Sequence, residues 1–225
     1  MQFYFNKFSI SLFNSILPTL QAEKNGSKGK IPNFFVKKSL NVITDDIGSI
    51  SLKKHRTLFS KGDINFMFHF LKGKNKENVL YAPCKGKVVP LSEVPDPTFS
   101  EKILGDGFAV IPSEGKIYAP TDGEIVMVFD TLHAITLTSS SGTEILIHIG
   151  LDTVTLKGAP FTAHVAAGDQ VKKGDLLMDV DLDKITGAGL NTVTPVLICN
   201  TDDYEKISLK KEGEVSLDEA VLSIS

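Results

Sequence analysis

Two of the five histidines of this 225-residue chain, His133 and His148, stand inside otherwise apolar sequence, TLHAITLTSSSGTEILIHIGLDTV over residues 131–154. Imidazole is the side chain whose ordinary pKa lies nearest neutrality, so a pair of them suits few tasks. They can hold a metal if further ligands are supplied. Alternatively, a neutral ring nitrogen of one attacks an electrophile while the other ring balances the incoming anion. Two polar residues half-covered on a sheet face would give the same spacing, so the decision rests on whether the chain brings the rings together.

The elements around them are legible. His133–Leu137 and Thr143–Ile149 are rich in β-branched and aliphatic residues, and Ser139-Ser140-Ser141-Gly142 lies between them as a cluster of turn formers. This pattern predicts a β-hairpin. A turn symmetric about the Ser140–Ser141 junction sets His133 directly opposite His148, with Cβ atoms roughly 4.5–5.5 Å apart on one face. A one-residue slip would send one ring to the other face.

From residue 80 onward, short apolar runs alternate with Gly, Pro and Asp turns: VLYAPCKGKVVPL, GFAVIPSEGKIYAPTDGEIVMVF, the hairpin, DQVKKGDLLMDVDL and TPVLIC. Many short strands with little helical period predict an all-β fold, an antiparallel β-sandwich or barrel-like arrangement. Helix is expected only in short pieces, Pro97–Leu104 and Lys184–Ala188. The phrases YAPCKGKV and YAPTDGEI point to an internal repeat of strand, turn and strand.

Charge divides the chain. Residues 1–66 carry ten basic side chains against four acidic ones, whereas residues 67–225 carry 14 basic and 23 acidic. An acidic domain of that kind argues against nucleic acid as a partner. Arg56 is the only arginine, so residues 67–225 have no guanidinium to clamp a phosphate in bidentate fashion. Cys84 and Cys199 are isolated and fit thiols of a reducing cytoplasm. No run of 18 apolar residues predicts a membrane span.

Residues 1–22 carry Lys7, an apolar stretch and Ala22, but Ser9, Ser11, Asn14 and Ser15 interrupt the stretch and Leu20 stands where a small residue is needed. Export is therefore not expected. The basic segment up to Phe66 lacks a sustained period and reads as a poorly ordered extension. Met67 begins an apolar cluster that looks like a start of its own, and Lys61-Gly62-Asp63 can be encoded by a ribosome-binding sequence. The expectation is a translated leader over 1–66 and a folded domain over 67–225.

The ordered phrases EKILGDGFAV, FDTLHAITLTSSSGTEILIHIGLDTVTLKG, GDQVKKGDLL and TVTPVLICN resemble the glucose-type IIA component of the bacterial sugar phosphotransferase system. The resemblance covers residues 67–225. It implies a barrel-sandwich hybrid fold and a cytoplasmic phosphocarrier that accepts a phosphoryl group from HPr and passes it to a cysteine of a sugar-specific IIB domain. His148 is similar to the phosphorylated histidine, at Nε2, and His133 to the partner that stabilises the phosphoryl group. Thr131 would orient His133, the backbone at Gly150 would hold the His148 ring, and Asp152 is similar to an acid of the family. Phe99, Phe129, Leu146, Ile149 and Val154 match positions of an apolar docking rim. Regulated permeases or kinases are further partners that the resemblance implies. It requires no cofactor, although a zinc ion shared with a partner would use His133 and His148.

Two other readings remain at this point. GDLLMDVDLDKITG is similar to a lipoyl-attachment stretch with Lys184 in the modifiable position. The histidine pair could instead serve a metal-binding regulatory module. His55, His69 and His164 have no ligand-like spacing and are expected at the surface.

Overall fold

The computed structural model describes residues 78–225. The expected boundary at 66/67, the basic extension, His55 and His69 lie outside the described residues. In chain order the elements are β1 (Asn78–Tyr81), β2 (Gly86–Pro90), α1 (Pro97–Ser100), β3 (Asp106–Pro112), β4 (Lys116–Tyr118), β5 (Gly123–Val128), β6 (Ala134–Ser139) and β7 (Glu144–His148). There follow β8 (Phe161–Ala163), β9 (Gln170–Val171), β10 (Leu176–Val180), α2 (Leu182–Gly187), β11 (Thr194–Ile198), β12 (Ile207–Leu209), β13 (Gly213–Val215) and β14 (Ala220–Ile224).

An eight-stranded sheet has the order β13-β2-β3-β11-β7-β6-β5-β9, and two three-stranded sheets have the orders β1-β14-β12 and β4-β10-β8. The strands pair antiparallel throughout the three sheets. The expected antiparallel β-sandwich is therefore the fold observed. The main core lies between the sheets, where Phe108, Val110, Ile135, Leu137, Ile145, Ile147, Val196 and Ile198 meet Leu177, Met178, Leu222 and Ile224. A second cluster fills the opposite face of the large sheet with Ala109, Ala134, Leu146 and Leu197, and the β2–β3 connection covers it with Leu91, Val94 and Phe99. Side chains alternate along a strand, so β7, covered on both sides, reads as the continuous apolar run Ile145-Leu146-Ile147.

Both helices are shorter than the sequence suggested at one end or shifted in register. Helix α1 begins where the Asp96 carboxylate accepts from Thr98 N at 2.8 Å with Pro97 in the first turn, an arrangement that supplies the acceptor missing at a helix start. It stops after one turn, and Lys102 takes a φ of 56°. Helix α2 is capped by Asp181, which accepts from Lys184 N at 2.9 Å. The two YAP phrases are joined reciprocally: Tyr81 N donates to Pro120 O at 3.0 Å and Tyr118 N to Pro83 O at 2.7 Å. Ala82 and Ala119 are both buried in the main core cluster, so the internal repeat is a pair of turns joined through their backbones.

Candidate functional site

The β6–β7 hairpin differs from the expected one by a single residue. Ala134, not His133, is the partner of His148, and Ile135 faces Ile147. The cause lies in the turn. Ser139 N donates to Thr143 O at 2.9 Å, leaving Ser140-Ser141-Gly142 as a three-residue loop with Gly142 at a φ of 89°. Loops of this length carry a left-handed glycine that a symmetric two-residue turn does not need.

By strict alternation that slip would separate the two imidazoles. They meet nonetheless, with ring centroids 5.1 Å apart and planes at 78°. His133 lies just before β6, where Leu132 has a φ of 56°, and this bend frees its side chain from the strand's alternation. The pairing across the ladder continues through its backbone, since Ile149 N donates to His133 O at 2.8 Å.

Each ring is held from its Nδ1 side. His148 Nδ1 lies 2.8 Å from Gly150 O. A carbonyl oxygen can only accept, so Nδ1 carries the proton and, in the neutral ring, Nε2 carries the lone pair. Gly150 has a φ of 73°, and a Cβ there would fall 2.9 Å from Asn191 O and 2.6 Å from Thr153 Cγ2. Only glycine presents its carbonyl to the ring in that place. His133 Nδ1 lies 2.7 Å from Thr131 Oγ1.

The rings sit in aromatic and apolar surroundings. Phe99 packs on His148 with centroids 5.2 Å apart, and Phe129 meets His133 edge-on at 5.3 Å. Burial pushes His148 down to about 3, with the charge of His133 adding to the effect and the Gly150 carbonyl opposing it. Burial alone pushes His133 down to about 4. Both imidazoles are therefore neutral near pH 7, which is the nucleophilic form.

Most of the residues expected to form a docking rim are enclosed in this structure. Phe99, Phe129, Leu146 and Ile149 are buried, and among the five only Val154 is half-buried. Phe99, carried by the β2–β3 connection, packs in one cluster with Phe129 and Leu146, while Ile149 belongs to the main core. Phe99 and Phe129 thus wall the histidines instead of offering free surface. Asp152 is exposed, in a left-handed conformation ahead of the turn Thr153–Leu156. Its carboxyl is held above the usual range by partial burial and by the neighbouring charge of Asp96.

Asp96 and Thr136 were missed by sequence reasoning. The Asp-Pro step that caps α1 was the available signal for Asp96; Thr136 had none, because a threonine is ordinary in a strand. Thr136 shares a sheet face with Leu146 and His148, and its buried hydroxyl has no hydrogen-bond partner among the described residues. Elsewhere, Lys184 lies in α2 and pairs with Asp181 at 3.0 Å. His164 is at the surface as expected, with Nε2 2.7 Å from Asp179. The Cys84 thiol is buried and pushed up to about 12 by that burial and by Glu114, which makes it inert. Among the described residues no three His, Cys, Asp or Glu side chains are grouped to hold a metal ion, so the histidine pair supplies at most two ligands. No helix among them is long and apolar enough to cross a membrane.

A family profile described as phosphoenolpyruvate-dependent sugar phosphotransferase system, EIIA 1, matches residues 78–204. The chain belongs to this family. Among EIIA relatives, the glucose-specific EIIA component of Halalkalibacterium halodurans is 48% identical over 147 residues, covering 63% of this chain and 85% of that protein. The glucosamine-specific EIICBA component of Bacillus subtilis is 51% identical over 142 residues, covering 62% of this chain and 22% of that protein. The match to the Bacillus subtilis beta-glucoside-specific EIIBCA component likewise spans 25% of that longer protein, so the chain covers about a quarter of such multicomponent relatives. Among solved structures, glucose permease IIA from Mycoplasma capricolum matches with a TM-score of 0.63 at 36% identity, over 68% of this chain and 99% of that one.

Proposed function

We propose that this chain is a cytoplasmic phosphocarrier of a sugar phosphotransferase system, which takes a phosphoryl group from phospho-HPr onto Nε2 of His148 and passes it to a cysteine of a sugar-specific IIB domain. The observation that carries this reading is the Nδ1–H bond from His148 to Gly150 O at 2.8 Å, because it fixes the tautomer in which Nε2 carries the lone pair. In the accepting step this lone pair attacks phosphorus, the P–N bond to HPr breaks, and its electron pair returns to the HPr imidazole. In the donating step a cysteine thiolate attacks the same phosphorus and the P–N bond to His148 breaks.

His133 balances the phosphoryl oxygens. A dianion beside it favours its protonated form and offsets the burial that otherwise keeps it neutral. Thr131 steadies that ring through its 2.7 Å contact. No arginine of residues 67–225 is available for this task, so what His133 does not neutralise falls to backbone amides or to a partner. Asp152, four residues after His148, and Asp96, whose charge reaches Asp152, would favour departure of the phosphoryl group by repulsion. Phosphohistidine hydrolyses readily, and the walls of Phe99 and Phe129 exclude the water that would discharge it. Fusion of EIIA with B and C components in the names of relatives supports a IIB partner. A zinc ion bridging to a partner would need that partner's ligands beside His133 and His148.

Incubation with phosphoenolpyruvate and the general phosphotransfer proteins tests the reading by intact mass. Wild type gains one phosphoryl group, His148→Ala gains none, and His133→Gln accepts the group but hands it on slowly, because acceptance needs the nucleophile alone. Phosphorylation of His148→Ala to the wild-type level would sink the proposal.

A further inference from the structure

The proposed relay, on which this inference rests, depends on the direction of one carbonyl. Gly150 O accepts from His148 Nδ1 at 2.8 Å, and in the neutral ring this leaves the lone pair on Nε2. Yet glycine is the residue least able to hold its own carbonyl in one direction, because it adopts positive and negative φ about equally well. The residue that fits beside Asn191 O without a clash must therefore be held by its neighbours.

Strand β7 ends at His148, and the chain then turns through Gly150 at a φ of 73° and Asp152 at a φ of 58°. Two planar peptide units flank the Cα of Gly150. In the unit joining Gly150 to Leu151, carbonyl and N–H point in opposite directions. Gly150 O meets the His148 ring on one side, and Leu151 N donates to Asn191 O at 2.8 Å on the other. In the unit joining Ile149 to Gly150, the Thr153 hydroxyl donates to Ile149 O at 2.6 Å. Asn191 acts through its backbone, whereas Thr153 acts through a side chain.

Thr153 has 0% of its surface exposed. Its second branch complements the glycine, since a Cβ at Gly150 would fall 2.6 Å from Thr153 Cγ2. The methyl thus occupies the space that glycine leaves open while the hydroxyl holds the preceding peptide. A β-branched side chain has few rotamers in which to do both. A threonine serving only the turn Thr153–Leu156 would have no reason to bond a carbonyl before that glycine.

We propose that Thr153 is a positioning residue for phosphoryl transfer: its hydroxyl fixes the peptide before Gly150, keeps the Gly150 carbonyl on His148 Nδ1, and so keeps the Nε2 lone pair available to phosphorus. It touches no reacting atom itself.

Nitrogen NMR of the full chain at pH 8, where an imidazole of ordinary pKa is neutral, reads the His148 tautomer, with His148→Ala as the assignment control. Phosphoryl uptake from phosphoenolpyruvate through the general phosphotransfer proteins and urea unfolding are measured alongside. Thr153→Ser and Thr153→Ala differ by the hydroxyl alone. Serine is expected to keep the Nδ1–H tautomer and an uptake rate within about twofold of wild type, whereas alanine gives a mixture of tautomers and uptake about tenfold slower, the worth of one hydrogen bond. Thr153→Val keeps the methyl without the hydroxyl and should behave as alanine does; where alanine does not fold, valine is compared with serine in its place.

A wild-type ring with its proton on Nε2 overturns the proposal. So does a folded alanine or valine variant that keeps the wild-type tautomer, even with a lower urea midpoint, because Thr153 then only packs. A serine variant that loses the tautomer as fully as alanine overturns it too, since the methyl and not the hydroxyl would be responsible. The tautomer is read without any phosphotransfer partner, so its outcome is separate from that of the relay, which the His148→Ala uptake measurement judges.

Discussion

One face of the β6–β7 hairpin presents Ile135, Leu137, Ile145 and Ile147 to the main core, whereas the other presents Ala134, Thr136, Leu146 and His148 toward the β2–β3 connection. The first face is aliphatic and packed between sheets. The second holds a neutral histidine, an unbonded hydroxyl and two aromatic walls. Identical backbone thus serves both, and alternation assigns structure to one set of residues and chemistry to the next. The lesson is that one strand can hand alternate residues to a packed core and to a ring held by a backbone carbonyl and an aromatic wall.

Lowering the pH acts on the chemical face and gives the largest expected effect. Both histidines have folded pKa values, about 3 and about 4, below the ordinary value of about 6.5. Between those limits the unfolded chain binds more protons, so stability is full above about pH 6.5 and falls as the pH drops. Each histidine contributes a slope of up to about 1.4 kcal/mol per pH unit. Urea unfolding at a series of pH values measures it, and His148→Leu should remove the larger share. An unchanged slope in that variant breaks the contrast between the faces.

Next in size is Ile147→Ala on the structural face. Emptying a fully enclosed site of this kind costs about 2–5 kcal/mol, read as a lower urea midpoint with no pH dependence of its own. Gly150→Ala follows, at about 1–3 kcal/mol, because alanine must adopt a left-handed φ and collide with Asn191 O. Its more telling readout is the His148 ring: loss of the Nδ1 bond to Gly150 O should appear as a changed tautomer in nitrogen NMR and as slower phosphoryl uptake. Smallest is Thr136→Val. Replacing a buried hydroxyl that lacks a partner by an isosteric methyl should leave stability unchanged or raise it by up to about 1 kcal/mol. A loss greater than that would show that the hydroxyl is engaged.

The hairpin, the all-β class and the family resemblance were legible because β-branched runs, a serine-rich turn and the long phrase ILIHIGLDTVTLKG are local signals. Register was not, since Ser139–Gly142 admits both a two-residue and a three-residue loop and only packing selects between them. The right conclusion about the ring pair was therefore reached through a wrong pairing, with the bend at Leu132 restoring what the slip removed. The enclosure of the expected rim residues was not legible for another reason. Phe99, Phe129, Leu146 and Ile149 are apolar in any reading, and nothing local tells which segment will lie over them; that depends on the β2–β3 connection returning across the sheet.

Strands β1 and β14 lie side by side, with Asn78 opposite Ile224. Whatever precedes the domain and whatever follows it leave from the same corner, so a linker can be attached at either side without threading the sandwich or spanning its width. One hinge point then sets the orbit of a tethered neighbour, and linkers of equal length and stiffness give it a similar local concentration at the histidines whichever side it is joined to.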